Sequence, residues 1–439
     1  MNQIQRLFVL TALVLITVGV GAQTNGSNSS YSRFGLGLLN DQSQGFNKGM
    51  GGVAQGFRIN TQVNVQNPAS YSCIDSLTFI LDAGMGMQTG RMKQNGSNVR
   101  AMNTSLEYVT AGFRLRPGLG MSIGFVPYST IGYNFDVANR IANNYTSSQT
   151  ITTQTNYYGN GGLHQLYIGT GWNPFADLSI GANIGYLWGV YNHSMSQTFY
   201  EGTQTSSTYN AQNIMWSSDL RTFKLDIGVQ YPITLKKDEK LTLGATMGLG
   251  HAINSKVNLL RFTSQGDTIP TNPVSKAFDL PYTISTGATW QHGERLAVGV
   301  DYTMEHWKGC RVPVSRATTT TNEIAISTDQ YVNLHRIAAG ADYIHSSATS
   351  KKYRDFIHYR FGMSYQTPYV KVNGHDGPSE MSLTAGVALP LKTSSRSLIN
   401  VSAQWLRRSA GSKQITENYF MLHMGLTFNE QWFQKWKFQ

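Results

Sequence analysis

Near the end of the chain, the stretch Tyr419 to Phe428 alternates strictly. Phe420, Leu422, Met424, Leu426 and Phe428 share one parity, and Tyr419, Met421, His423, Gly425 and Thr427 share the other. A period of two is that of a strand. One face is wholly apolar and large while the other mixes small and polar groups, which suits a strand with lipid outside and a mixed interior inside. The same pattern starts abruptly at Leu77, where Leu77, Phe79, Leu81, Ala83, Met85 and Met87 alternate with Thr78, Ile80, Asp82, Gly84, Gly86 and Gln88. Comparable segments recur at about 105 to 116, 119 to 128, 163 to 173, 178 to 190, 218 to 232, 240 to 252, 281 to 291, 295 to 307, 331 to 345, 356 to 367, 380 to 390, 397 to 407 and 417 to 428. That makes about fourteen strands, an even number as single-chain bacterial barrels prefer. In the second of them the parity slips between Tyr108 and Val109, which predicts a bulge.

The connections alternate in length. Short ones include Pro117 with Gly118, Asn173 to Asp177, Pro232 to Glu239, His292 to Glu294 and Leu391 to Arg396, and long ones at 129 to 162, 191 to 217, 253 to 280 and 308 to 330 lie between them. Short periplasmic turns and long extracellular loops give that alternation, whereas a soluble β-sandwich has no reason to keep it. Trp172 and Trp290 fall at periplasmic strand ends and Trp188, Trp216, Trp307 and Trp405 near outer ends, as two interfacial girdles require.

The segments outside the alternation divide the rest. Arg6, an apolar run from Leu7 to Val20, and Val20, Gly21, Ala22 before Gln23 read as an export signal, so residues 1–22 are expected to be cleaved. Residues 23–75 show no useful alternation, and glycines at 35, 37, 45, 49, 51, 52 and 56 allow tight turns; the length suits a plug. The barrel is expected over 76–428. Trp432, Phe433, Trp436 and Phe438, with Lys435 and Lys437, make a tail of 429–439 on the periplasmic side that suits an interfacial anchor, a partner contact or an assembly signal.

Composition sharpens this picture. Charged residues are 13% of the 439, about half the usual soluble share, while aromatics reach 11% and mean hydropathy is only −0.27. No stretch after residue 22 suits a membrane helix. The net charge of +11 is spread without a basic run, so lipid and lipopolysaccharide headgroups are the expected anionic partners and nucleic acid is not. Cys73 and Cys310 fall at opposite ends of the expected topology, too far apart for a disulfide, and are expected as free thiols.

In the pre-barrel segment Gly49, Met50, Gly51 and Gly52 are followed by Asn67, Pro68 and Ala69. With the strand count, these residues make the chain resemble the FadL-type outer-membrane transporters of hydrophobic compounds, in the branch common in Bacteroidetes that includes a shuttle subunit of the type 9 secretion system. The resemblance implies an all-β fold, a transmembrane antiparallel barrel with an N-terminal hatch inside its lumen, Gly49, Gly51, Gly52, Asn67, Pro68 and Ala69 belonging to that hatch. It implies lateral passage of a hydrophobic ligand where the third strand kinks. Val126, Pro127, Tyr128 and Ser129 are the candidates here, because proline cannot donate to a sheet ladder. The end of the membrane-embedded strand is the plainer reading of the same residues.

Other motifs stay structural. Gly120, Ser122 and Gly124 satisfy GxSxG, but inside an expected strand rather than at a strand-to-helix elbow. Gly49, Gly51 and Ala54 fit GxGxxA loosely, with neither the strand before nor the helix after that a dinucleotide site needs. The ten histidines do not cluster at metal spacing, so neither metal nor cofactor is expected, nor an enzyme. Inward parity collects Asp82, Arg114, Lys224, Asp226, Asp301, Glu305, Arg336, Asp342 and Arg360, near balance in sign. These either fix hatch to wall or line a polar conduit. Two functions follow as expectations: a barrel that moves or holds a hydrophobic or amphipathic molecule, and a non-transporting scaffold or shuttle subunit of a secretion or barrel-assembly complex.

Overall fold

The two parities become the two faces of a wall. In the computed structural model, residues 29–431 are described except 95–96, 143–149, 176, 202–203, 206–209, 264, 267, 271, 318–321, 346–351, 392–396 and 412–413. They form a closed barrel of 14 antiparallel strands. These are β1 (Thr78–Gln94), β2 (Ser97–Arg116), β3 (Leu119–Ala142), β4 (Thr150–Trp172), β5 (Ser179–Glu201), β6 (Gln212–Lys236), β7 (Glu239–Gly248, resumed as His251–Thr263), β8 (Tyr282–His292), β9 (Leu296–His306), β10 (Leu334–Ile344), β11 (His358–Gln366), β12 (Ser379–Pro390), β13 (Leu398–Ser409) and β14 (Thr416–Gln431). Closure is made by β1 on β14, in register from Thr78 opposite Gln431 to Lys93 opposite Thr416. The apolar parity of β14 faces outward, with Phe420 54% and Met424 50% exposed, while Tyr419 and His423 are buried on the luminal side.

Strand lengths are unequal. β3 to β6 have 24, 23, 23 and 25 residues, against 9 to 11 in β8 to β11. Crossing the apolar band takes about 9–11 tilted residues. β3 to β6 therefore stand well clear of the membrane on the outer side. Much of what the sequence assigns to loops at 129 to 162, 191 to 217 and 253 to 280 is in fact strand. The reason is that above the lipid the outward face meets water and apolar side chains turn inward to the outer cluster, as Tyr133, Tyr191, Ile253 and Val257 do, so the lipid-facing alternation stops while the backbone ladder carries on.

The N-terminal segment runs through the lumen. From Ser29 to Ile74 it is mostly buried, and its only helical pieces are Ser30–Arg33, the single turn Gly45–Lys48, and Pro68–Cys73. Three apolar groups hold it. Phe46, Met50, Val53 and Phe57 meet Ala338 of β10, Val63, Tyr71 and Ile74 meet Ile80, Tyr108 and Tyr167, and Leu36 joins a larger outer cluster with Tyr128, Phe278, Trp307, Tyr331 and Tyr369. Burial of each large side chain contributes about 1.5–3 kcal/mol. The wall makes room with glycine: a Cβ at Gly362 would collide with the backbone of Met50 and Gly51, and one at Gly181 with that of Pro68.

Trp307 is fully buried in the outer cluster and Trp216 packs against it, so these two leave the expected outer girdle and serve to close the lumen instead. Cys73 and Cys310 are free. β14 continues three residues past the expected end at Phe428, to Gln431. The expected signal peptide and the tail from Trp432 onward lie outside the described residues.

The closing register has a direct test. Met87 lies opposite Leu422, so the double variant Met87→Cys with Leu422→Cys should lose both new thiols to a disulfide under mild oxidation. Thiol titration of each single variant should still count its added cysteine.

Candidate functional site

Among the described residues, wall pairing has one marked seam. β2 and β3 are in ladder from Arg116 opposite Leu119 to Val109 opposite Phe125, and among the described residues the ladder goes no further. β2 continues outward paired with β1 as far as Ser97, and β3 continues paired with β4 as far as Ala142. The break coincides with Pro127. Pro127 pairs with His164 and Ser129 with Leu163, leaving Tyr128 as an extra residue. On the next strand Gly161 and Gly162 take φ of 133° and 127°, open to glycine alone. A Cβ at Gly162 would run into the Ser129 carbonyl, and one at Gly189 into the Gly162 carbonyl. β3, β4 and β5 thus crease together at Ser129, Gly162 and Gly189. The ladder of β3 to β4 continues past Pro127 to Ala142.

The edge of β3 that the crease frees is taken by the luminal segment. Leu38 and Leu39 pair antiparallel with Thr130 and Ser129, Asn40 N donates to Tyr128 O at 2.9 Å, and Ser29 N donates to Gly132 O at 3.1 Å. Beside it a cavity of about 430 Å³ runs from Thr104, Leu106 and Trp188 in the wall to Lys48, Arg408 and His423 in the lumen. A second, of about 200 Å³, shares Leu39, Asp41, Glu380 and Leu406 with it and extends to Lys224 and Arg336. At the wall end the rings of Phe125, His164 and Trp188 lie 5.6 to 6.2 Å apart, a sill of three aromatic groups on adjacent strands.

The luminal end is ionic. Lys48 Nζ is 3.4 Å from Glu107, whose carboxylate also lies 2.6 Å from His423 Nδ1. Arg408 bridges Glu380 at 2.7 Å and Glu417 at 3.0 Å, and the Glu417 carboxylate accepts from Ser29 Oγ at 2.7 Å and Tyr419 OH at 3.1 Å. This network ties Ser29 of the luminal segment to β13 and β14. Burial by itself pushes the Asp41 carboxyl up, but the charges of Lys48 and Arg336 and the bonds from Ser43 outweigh it and hold it below the ordinary value. For Lys48 burial pushes down, and Glu107 with Asp41 outweighs it, raising the ammonium above its ordinary value. Both groups are thus held ionised inside the lumen.

The residues singled out in the sequence go to three places. Asp301 accepts from Ala54 N at 2.6 Å and Gln55 N at 2.9 Å, Arg336 donates to Gly51 O at 2.7 Å, and Arg360 donates to Gly45 O at 3.2 Å and Asn400 Oδ1 at 2.7 Å. All three grip the N-terminal segment. Asp342 pairs with His358 at 2.9 Å and Arg360 at 3.4 Å, Asp82 accepts from Tyr108 and Thr427, Lys224 pairs with Asp226, and Glu305 accepts from Trp307 Nε1. Arg114 stands apart near the β2–β3 turn, bonded to the Arg116 carbonyl. Gly49 and Gly51 lie against β11 and β12, with Thr384 Oγ1 bonded to both Gly49 O and Gly51 N, and Gly52 lies against Arg336 of β10. Asn67, Pro68 and Ala69 meet the opposite wall, where Asn67 Nδ2 reaches Val229 O and Gly181 receives Pro68. Ser122 of the GxSxG pattern is buried in β3 and bonded to Ala111 O and Tyr167.

Sequence reading missed Lys48, Glu107, Glu380, Arg408 and Glu417. A signal existed for one of them. Gly84 is opposite Tyr108 and Met85 opposite Leu106, so Glu107 is the extra residue of a bulge, one position from the parity slip. Arg408 and Glu380 lie at the margins of the apolar alternation, where it no longer reports which face is inside.

A family model described as BamG matches residues 3–439. No curated protein matches. Among solved structures the chain is similar to the toluene transporter TodX of Pseudomonas putida, at 13% identity and TM-score 0.58, covering 91% of this chain and 100% of that one. Its likeness to the Ralstonia pickettii toluene transporter TbuX is 13% identity and TM-score 0.57 over 91% and 99%. A Pseudomonas aeruginosa FadL homologue gives 11% and 0.56 over 89% and 99%. At this identity the likeness is one of fold.

Two outcomes are expected from the luminal contacts. Arg360→Leu leaves Asp342 buried beside His358 alone and should cost about 3–5 kcal/mol in urea unfolding, while Arg114→Ala at the rim should change stability by less than about 0.5 kcal/mol. Because the Asp41 pKa is depressed, its contribution is present above the unfolded value and is lost as pH falls through the folded one. Proteolysis of the segment near Leu39 should therefore rise on acidification, and rise less in Asp41→Asn, whose segment is already loosened at neutral pH.

Proposed function

The chain belongs to the BamG family, and from that premise we propose that it is a non-enzymatic outer-membrane barrel that holds or passes an amphipathic molecule at the seam between β2 and β3, with the luminal segment as its hatch. One observation carries this reading: the ladder stops at Val109 and Phe125, and the cavity of about 430 Å³ begins there. The ligand's apolar part would rest on Phe125, His164 and Trp188, and its polar part would meet the Lys48, Glu107 and His423 group. A purely hydrocarbon ligand suits that ionic end poorly. Toluene transporters with a similar fold support a ligand with an apolar part, and the filled lumen disfavours a straight pore. Val126, Pro127, Tyr128 and Ser129 would form the rim of the opening, and Asp301, Arg336 and Arg360 would hold the hatch shut.

A second reading has its own support. The outer halves of β3 to β6 rise beyond the lipid as a four-stranded sheet, continued by His251–Thr263 of β7, far more structure than a ligand route needs. Such a sheet suits a stationary subunit of an outer-membrane secretion or barrel-assembly complex.

Purification from native membranes in mild detergent, followed by mass spectrometry of lipids and proteins, tests both. A bound amphiphile should accompany the wild type and be lost in Ser129→Trp, whose ring fills the cavity beside Pro127. Absence of any amphiphile from the wild type would rule out the first reading, and a stoichiometric protein partner kept by both forms would favour the second.

A further inference from the structure

We infer that the free edge of β2 is a docking site for a β-strand supplied by another outer-membrane chain whose own barrel is still open. The inference deepens the second reading above and rests on it.

The argument begins with depth. Thr104 lies opposite Met87, the last large apolar residue on the outward face of β1 before Thr89 and Arg91 replace it. The part of β2 from Thr104 to Tyr108 is thus still at the level of lipid, and the ladder to β3 that would satisfy its backbone is absent among the described residues. Each unsatisfied backbone group in hydrocarbon costs several kcal/mol. An acyl chain can fill the space but cannot donate or accept a hydrogen bond.

The seam already shows how it is satisfied on its other side. The β3 edge accepts Leu38 and Leu39 as a short antiparallel strand, extended by the bonds from Asn40 and Ser29. An added strand is therefore the solution this wall uses at the β3 edge, and among the described residues no strand is laid on the free edge of β2 from Thr104 to Tyr108. Facing outward along that edge are Leu106, opposite Met85, and Met102, opposite Thr89 and 66% exposed, apolar positions that an incoming strand of alternating pattern could continue. A closed barrel has no edge to offer. The donor is accordingly a chain with an uncommitted strand, and its addition would complete the wall between β2 and the luminal strand.

The test uses the full-length protein in detergent, with photoreactive benzoylphenylalanine in place of Thr104, or of Met102 as a second position, and in place of Phe361 on the lipid face of β11 as the control. The probe is a synthetic peptide of residues 419–428, a proven wall strand, alongside a peptide of the same composition with the alternation scrambled. The alternating peptide should cross-link saturably at Thr104 and Met102, at least about tenfold above Phe361 and above the scrambled peptide, with adducts on alternate peptide residues. Equal labelling at the seam and at Phe361, or equal labelling by both peptides, would overturn the proposal as mere partition into the detergent. Detergent or lipid adducts alone would also overturn it, while a stable native complex would leave the second reading standing.

Discussion

A strand in hydrocarbon has no water to bond with, so every backbone donor and acceptor must find its partner in a neighbouring strand. That requirement forces the chain to close, β1 on β14 across a register running from Thr78 to Lys93. It also makes any interruption informative, because an interruption at lipid depth is expensive unless something else supplies the bonds. The seam above Val109 and Phe125 is such an interruption. At or beside it lie a proline, a bulged tyrosine, three glycines at a common crease, and a luminal strand laid on the freed edge.

The luminal segment answers a second constraint. A 14-stranded wall leaves a lumen too wide for its own side chains to fill, and the chain fills it with its own N-terminal residues. Irregular backbone inside a barrel brings many polar groups out of water. These are met by inward wall residues, as Asp301 does for Ala54 and Gln55 and Arg336 for Gly51. The charges are therefore paired with backbone and with each other, as buried charges must be. Toward the outer mouth the work passes to apolar groups around Trp307, Tyr331 and Tyr369.

The resemblance to FadL-type transporters read from Gly49 to Gly52 and Asn67 to Ala69 holds at the level of fold, while the family to which the sequence belongs is BamG. The two motif halves grip opposite walls, the first against Thr384 and Met363 and the second against Gly181 and Gly228. Short glycine and proline motifs can persist in such places because a backbone pressed on a backbone tolerates no side chain. Function is less constrained. The ionic groups around Lys48 and Arg408 distinguish this cavity from an apolar one without altering the architecture.

Strand number, membrane faces and the inward positions of Asp82, Asp301, Arg336 and Arg360 were legible in the sequence, because lipid on one side imposes a period of two that composition cannot hide. The bulge was legible too, to within a residue, since a bulge is a break of that period. Beyond the lipid the outward face turns polar and the lipid-facing period ends, and only the tertiary structure decided that residues assigned to long loops continue as β3 to β6. Only the tertiary structure, likewise, turned Trp216 and Trp307 inward and brought Ser29, Lys48, Glu107, Arg408 and Glu417 together. The bonds of Ser29 to Arg408 and Glu417 join residues hundreds of positions apart, and what unites the group is the closure of the wall around the segment that precedes it.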